Sequence, residues 1–167
     1  MSQMKRCLLV IILCLSSQNA IAQISTTAST GDYASDLGTL VGVIKTQGFI
    51  RDICIQQFSD MQKRLDDAYA SWRERDKPFL QEIALRWSLL MIEDAKENNI
   101  SLASNAEYFT GEMAKLRAGV KTILSQGGPE KFKSACQQYP VGLLGEIGNI
   151  EKHYPEHVET VRQVKIH

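Results

Sequence analysis

From Tyr33 onward, apolar side chains recur every three or four residues with charged ones between them, the spacing of helices that bury one face. Leu37, Leu40, Val41 and Ile44 form one stripe, and Ile50, Ile53, Cys54 and Phe58 continue it past Gly48, so this region is one kinked helix or two. Met61, Leu65, Ala68, Tyr69 and Trp72 make the next stripe, with Lys63, Arg64, Asp66 and Asp67 turned away from it. Asp76-Lys77-Pro78 is a boundary, because Pro78 disfavours helical geometry at Lys77 yet suits the first turn of a new helix. Phe79, Ile83, Trp87, Leu90 and Met91 then predict a helix that ends at Asn98-Asn99. Ser104 and Glu107 have capping-box spacing ahead of Phe109, Met113, Leu116, Val120, Ile123 and Leu124. Gly127-Gly128-Pro129 breaks the pattern again. Phe132, Cys136 and Tyr139 lie on a short helix that Pro140 is expected to interrupt. Leu143, Ile147, Ile150 and Tyr154 predict one more helix across Gly145 and Gly148, and Val158, Val161 and Val164 are sparse positions in a tail expected to fray after Pro155.

No stretch alternates with a period of two, so the expected fold is all-α: a single-domain bundle of about five or six helices. Ahead of the helical pattern, Lys5 and Arg6 precede an apolar run from Cys7 to Leu15, and Ala20-Ile21-Ala22 has the small-x-small form that signal peptidase cuts. Residues 1–22 are therefore expected to be a signal peptide, 23–31 a flexible arm rich in Ser, Thr and Ala, and 32–167 the helical domain. Cleavage before Gln23 would send the remaining 145 residues to the periplasm or the medium. Ile11-Ile12-Leu13 lacks the small residues that would mark Cys14 for lipid attachment.

With Cys7 and Cys14 removed, Cys54 and Cys136 are the two thiols left in an oxidising compartment, and they are expected to pair. No Cys-x-x-Cys spacing suggests redox chemistry. Residues 23–167 carry 17 basic and 19 acidic side chains, a formal charge of −2, which gives no footprint for nucleic acid. No stretch reaches the roughly 18 uncharged apolar residues that a transmembrane helix needs, so the mature chain is expected to lack a membrane span.

One string has the letters of a catalytic signature. His153-Tyr154-Pro155-Glu156-His157 matches the inverted zinc-protease motif, in which two histidines on one helical face hold Zn²⁺ beside a glutamate base. Pro155 falls between the histidines, where it disturbs the helix they would share, and the chain leaves little room for a third ligand, so the pair is expected to be incidental and surface-exposed. Trp72-Arg73-Glu74-Arg75-Asp76 sets an aromatic next to dense charge, and Trp72, Arg73, Arg75 and Asp76 form the candidate binding patch, with Trp72 as an apolar floor and the arginines gripping a carboxylate or phosphate. The competing reading makes Trp72 core and the charges a solvated rim. Glu82 and Arg86, four apart, are expected to form a surface ion pair. There is no G-x-S-x-G elbow and no phosphate-cradling glycine loop. Asn99-Ile100-Ser101 is a glycosylation sequon only in a eukaryotic host, and the leader looks bacterial.

Cys54-Ile55-Gln56-Gln57-Phe58, followed by Ala68 through Trp72-Arg73-Glu74-Arg75-Asp76, resembles a pattern in small exported proteobacterial helical proteins of uncharacterised function. In those proteins a cysteine near the end of a first helix precedes an aromatic, a helix ending in Trp and an Arg-Asn-like pair, and a second late cysteine. Here Asp76 replaces the usual Asn, and Ser59 stands where proline is common. The resemblance implies export, helices and a disulfide, and no activity. By class alone the chain is also similar to periplasmic immunity proteins that block cell-wall amidases delivered by type VI secretion. The expected function is an exported, non-enzymatic helical protein that needs no cofactor and binds another macromolecule, with a protein partner in the envelope. The alternatives are an immunity-type inhibitor of an amidase effector and a small metal-dependent hydrolase.

Overall fold

The computed structural model describes residues 28–166; the expected signal peptide and residues 23–27 of the arm lie outside them. The described residues form seven helices and no strand, in the order α1 (Tyr33–Gln57), α2 (Gln62–Arg75), α3 (Lys77–Glu97), α4 (Leu102–Ser125), α5 (Gly128–Leu144), α6 (Ile150–His153) and α7 (Pro155–Gln163), with a 3-10 turn at Ser59–Met61. The all-α bundle read from the pattern is the observed fold.

Helix α1 is the hub and packs against all six other helices. It is accordingly buried on several sides: besides Leu37, Leu40, Ile50 and Ile53, the residues Val43, Thr46 and Gln47 are out of solvent. Its start is fixed by Asp32, whose carboxylate accepts the Ser35 N–H at 2.8 Å. The helix runs unbroken through Gly48, where a Cβ would lie 3.1 Å from the Tyr69 hydroxyl, so the glycine lets α2 approach closely. The Arg51 guanidinium lies over the same ring, 4.4 Å from its centre.

Cys54 and Cys136 are bonded, with Cα atoms 5.6 Å apart and both residues fully buried. The bond joins α1 to α5 and closes a loop spanning 82 positions, which the chain-entropy account values at roughly 4 to 5 kcal/mol. The same core holds Trp72, Tyr139, Leu65 and an edge-on Phe58–Phe132 pair at 5.4 Å. Full burial of each such side chain contributes about 1.5–3 kcal/mol. The Tyr139 hydroxyl donates to the Gln47 carbonyl at 2.8 Å, and burial pushes its ionisation far up.

The observed boundaries depart from the expected ones in four places. Helix α4 begins three residues early, because the Ser101 hydroxyl accepts the Ser104 N–H at 3.0 Å and caps the helix in place of the Ser104–Glu107 box. Pro140 sits inside α5 without ending it; it offers no N–H to the Cys136 carbonyl, and the adjacent Gln137 carbonyl takes a hydrogen bond from Arg64 at 2.7 Å. The helix predicted across Gly145 and Gly148 is broken at both glycines, leaving the single turn α6. The tail is core rather than frayed, since Pro155 opens α7, where Val158 and Val161 are buried.

Candidate binding surfaces and the buried polar cluster

Trp72 ends the buried face of α2 and is only 1% exposed. Its indole N–H donates to the Gly148 carbonyl at 2.8 Å. Gly148 can come so near only because it lacks a side chain: a Cβ there would stand 1.7 Å from the Leu143 carbonyl oxygen. Trp72 is therefore a pin in the core and offers no floor to a ligand. Arg75 forks onto Asp76, with Nε to Oδ1 at 2.9 Å and Nη2 to Oδ2 at 2.8 Å, while Nη1 donates to the Leu144 carbonyl at 2.8 Å. That carbonyl belongs to the last turn of α5, where no helical N–H remains to take it. The bond to Asp76 holds the Arg75 pKa above its ordinary value. Of the four expected patch residues, Arg73 alone is exposed without an ion-pair partner among the described residues. The apolar surface at this corner comes instead from Val141, Leu144 and Ile147, all exposed.

His153 and His157 do not share a helical face. Tyr154 lies outside helical geometry (φ −123°, ψ 49°) and separates exposed His153 in α6 from His157 in α7, which is 3% exposed. The expectation of a surface-exposed pair therefore fails for His157. Its ring stands edge-on to Tyr154 at 5.5 Å, and its Nε2 is 4.0 Å from Asp36 Oδ1. No three His, Cys, Asp or Glu side chains among the described residues form a group that could hold a metal ion.

Asp36 is completely buried in the first turn of α1. Its carboxylate accepts the Ser29 hydroxyl, the Thr30 N–H at 3.0 Å and the Thr30 hydroxyl at 3.1 Å. Ser29 Oγ also lies 3.2 Å from Thr160 Oγ1 on α7. Ser29, His157 and Asp36 have the residue types of a hydrolase triad in the wrong order, because the serine bonds the aspartate rather than a histidine base that could take its proton. The cluster is a clasp: it holds the end of the arm against α1 and α7.

Sequence reasoning missed the role of Arg86. Expected at the surface, it is 7% exposed; Nη1 donates to the Val161 and Val164 carbonyls at 2.9 and 2.8 Å and so closes the end of α7. Glu82 accepts Arg86 Nε at 3.1 Å and Arg162 Nη2 at 2.7 Å, and Arg162 reaches Glu151 at 2.6 Å. The Arg162 hydrogen bond, opposed by burial and helped by Arg86, holds the Glu82 pKa below its ordinary value. The signal was present in the sequence, since Arg86 stands on the line Phe79, Ile83, Arg86, Leu90, at steps of four, three and four, which is the core stripe itself.

No family model matches the chain, and no curated protein or solved structure was found to be similar to it. No helix among the described residues is long and apolar enough to cross a membrane.

Proposed function

We propose that this chain is an exported, non-enzymatic helical protein that works by binding another protein in the bacterial envelope. The observation that carries the reading is the buried Cys54–Cys136 bond, which belongs to an oxidising compartment and accords with the signal-like start of the chain. The polar clusters support binding over catalysis, because each is taken up in holding helices together: Arg75 on α5, Arg86 on α7, and Asp36 on the arm. The first candidate face is the corner where the end of α2 meets the end of α5. It carries Arg73, exposed and without an ion-pair partner among the described residues, and the exposed apolar side chains of Val141, Leu144 and Ile147.

The test uses the oxidised domain beginning at Gln23, cross-linked in envelope extract beside its Arg73→Ala and Leu144→Ser variants. The reading expects a discrete cross-linked partner that either substitution weakens with the fold intact. Equal recovery with both variants would remove this corner, and absence of any partner would remove the binding role.

A further inference from the structure

From Ser88 to Ala106 only Ala95 and Asn105 are buried, so the far end of the α3–α4 hairpin stands clear of the bundle. Its form is nevertheless fixed. Asn99 adopts φ +51°, and the amides of Ile100 and Asn99 return to the carbonyls of Ala95 and Lys96 at 3.0 and 3.3 Å, a complete Schellman stop for α3. Asn105 Nδ2 donates to the Met91 carbonyl at 3.0 Å, and Trp87 meets Phe109 at 4.9 Å between ring centres, so the two helices are clamped side by side.

This rigid tip leaves large apolar side chains in solvent. Leu85, Leu89 and Ile92 follow one another at steps of four and three along α3 and are 53, 37 and 51% exposed. Ile100 in the turn and Leu102 at the head of α4 are 44 and 53% exposed. Leu102 falls on the same line of α4 as Asn105 and Phe109, which face α3, yet about half of it stays in solvent at the open end of the hairpin.

The charge around this surface is one-sided. Residues 92–107 carry Glu93, Asp94, Glu97 and Glu107 against Lys96, a net −3, whereas residues 23–167 together carry −2. Glu93, Glu97 and Glu107 have no ion-pair partner among the described residues. An anionic lipid surface or a nucleic acid would be repelled by this rim. A second copy of the tip, brought up by two-fold symmetry, would set −3 against −3.

We propose that the tip of the α3–α4 hairpin docks a cationic amphipathic helix of a partner protein, with the apolar face of that helix on Ile92, Ile100 and Leu102 and its lysines or arginines against Glu93, Glu97 and Glu107. Apolar contact supplies the affinity, and the carboxylates supply attraction and selection by charge. The inference goes beyond the binding role proposed above and does not involve the Arg73 corner.

The experiment titrates the oxidised domain from Gln23 onward with three fluorescent peptides of about 18 residues, enough for five turns of helix. One is an amphipathic Leu/Lys helix, the second its Leu/Glu counterpart, and the third the Leu/Lys sequence with Ser for Leu. The Leu/Lys peptide is expected to bind about tenfold or more tightly than either other, a difference of about 1.4 kcal/mol. Glu93→Lys with Glu97→Lys should weaken it about tenfold and favour the Leu/Glu peptide. Ile92→Ser with Leu102→Ser should weaken it similarly with the thermal midpoint unchanged, and Arg73→Ala should have no effect. Equal binding of the Leu/Lys and Ser/Lys peptides, indifference to the tip substitutions, or no binding would overturn the proposal. A concentration-dependent dimer abolished by Ile92→Ser with Leu102→Ser would overturn it in favour of a second copy. Loss of this binding alone leaves the Arg73 corner and its cross-linking test standing, so the two readings fail separately.

Discussion

Where α2 and α5 meet α1, the interior holds Trp72, Tyr139, the Cys54–Cys136 bond and the Phe58–Phe132 ring pair. The α3–α4 tip keeps only Ala95 and Asn105 fully from solvent. One end is secured by burial and a covalent bond. The other is held by backbone caps, the side-chain amides of Asn98 and Asn105, and a ring pair farther down the hairpin. The difference follows from the order of helices: α1 is surrounded by all the others, while the hairpin runs past the end of the shared core. Local stability is therefore expected to differ between the ends, and a surface that must stay available to a partner fits the end that folding leaves uncovered.

The sharpest way to break this comparison is to remove the staple. Cys54→Ser with Cys136→Ser is expected to lower unfolding stability by about 3–5 kcal/mol in urea titration. A loss below about 1 kcal/mol would show that the base does not depend on the bond.

Next in size is Gly148→Ala, whose methyl would fall 1.7 Å from the Leu143 carbonyl oxygen and force the backbone apart. The expected cost is about 3 kcal/mol, in the range of overpacked core positions. Trp72→Phe, which removes the N–H that meets Gly148 and leaves a gap where the larger indole packed, should cost about 1–3 kcal/mol through the unpaired carbonyl and the lost contacts together.

The clasp at Asp36 is read through pH. Burial pushes its carboxyl up, but the Ser29 hydroxyl, the Thr30 amide and hydroxyl, and His157 outweigh that and leave it below its ordinary value. With the folded value depressed, the unfolded chain takes up its proton first as the pH falls. The contribution is therefore complete above the ordinary aspartate value of about 3.9 and is lost as the pH drops through the folded value. Asp36→Asn should be about 1–2 kcal/mol less stable near neutrality. Its deficit should shrink below the carboxylate range, and a deficit independent of pH would show that the carboxylate charge plays no part.

The smallest effect is expected at the tip, where Ile92→Ser or Leu102→Ser should change stability by no more than about 0.5 kcal/mol. A larger loss would place these side chains in the core and erase the contrast.

Helices α1 to α4 were legible because apolar residues recur at helical spacing in each, from Leu37 and Leu40 through Leu65 and Trp72 to Val120 and Leu124, although α1 is buried on several sides and the α3 line also takes in Arg86. The disulfide followed from counting cysteines, and the Asn98-Asn99 stop from side-chain chemistry. The stretch after Pro140 was misread because local signals there yield to distant partners. Gly148 is placed by Trp72, 76 positions away, and Val158 and Val161 are buried against the hub helix rather than left to fray. The candidate site was only partly legible: of the two readings of Trp72 the core one is observed, whereas the role of Arg75, whose guanidinium is spent on the end of α5, could not be read from adjacency. Exposed apolar positions such as Leu85 and Leu102 carry the same letters as core positions, and only the packing tells them apart.

The account rests on export and an intact bond, and both are read in one mass measurement. The protein is recovered from the periplasmic fraction of its host under non-reducing conditions, treated with a thiol alkylator and weighed intact. The expected result is a chain beginning at Gln23, two hydrogens lighter than the reduced form and free of alkyl groups. A chain that retains Met1 and takes up an alkyl group on both Cys54 and Cys136 would contradict the account.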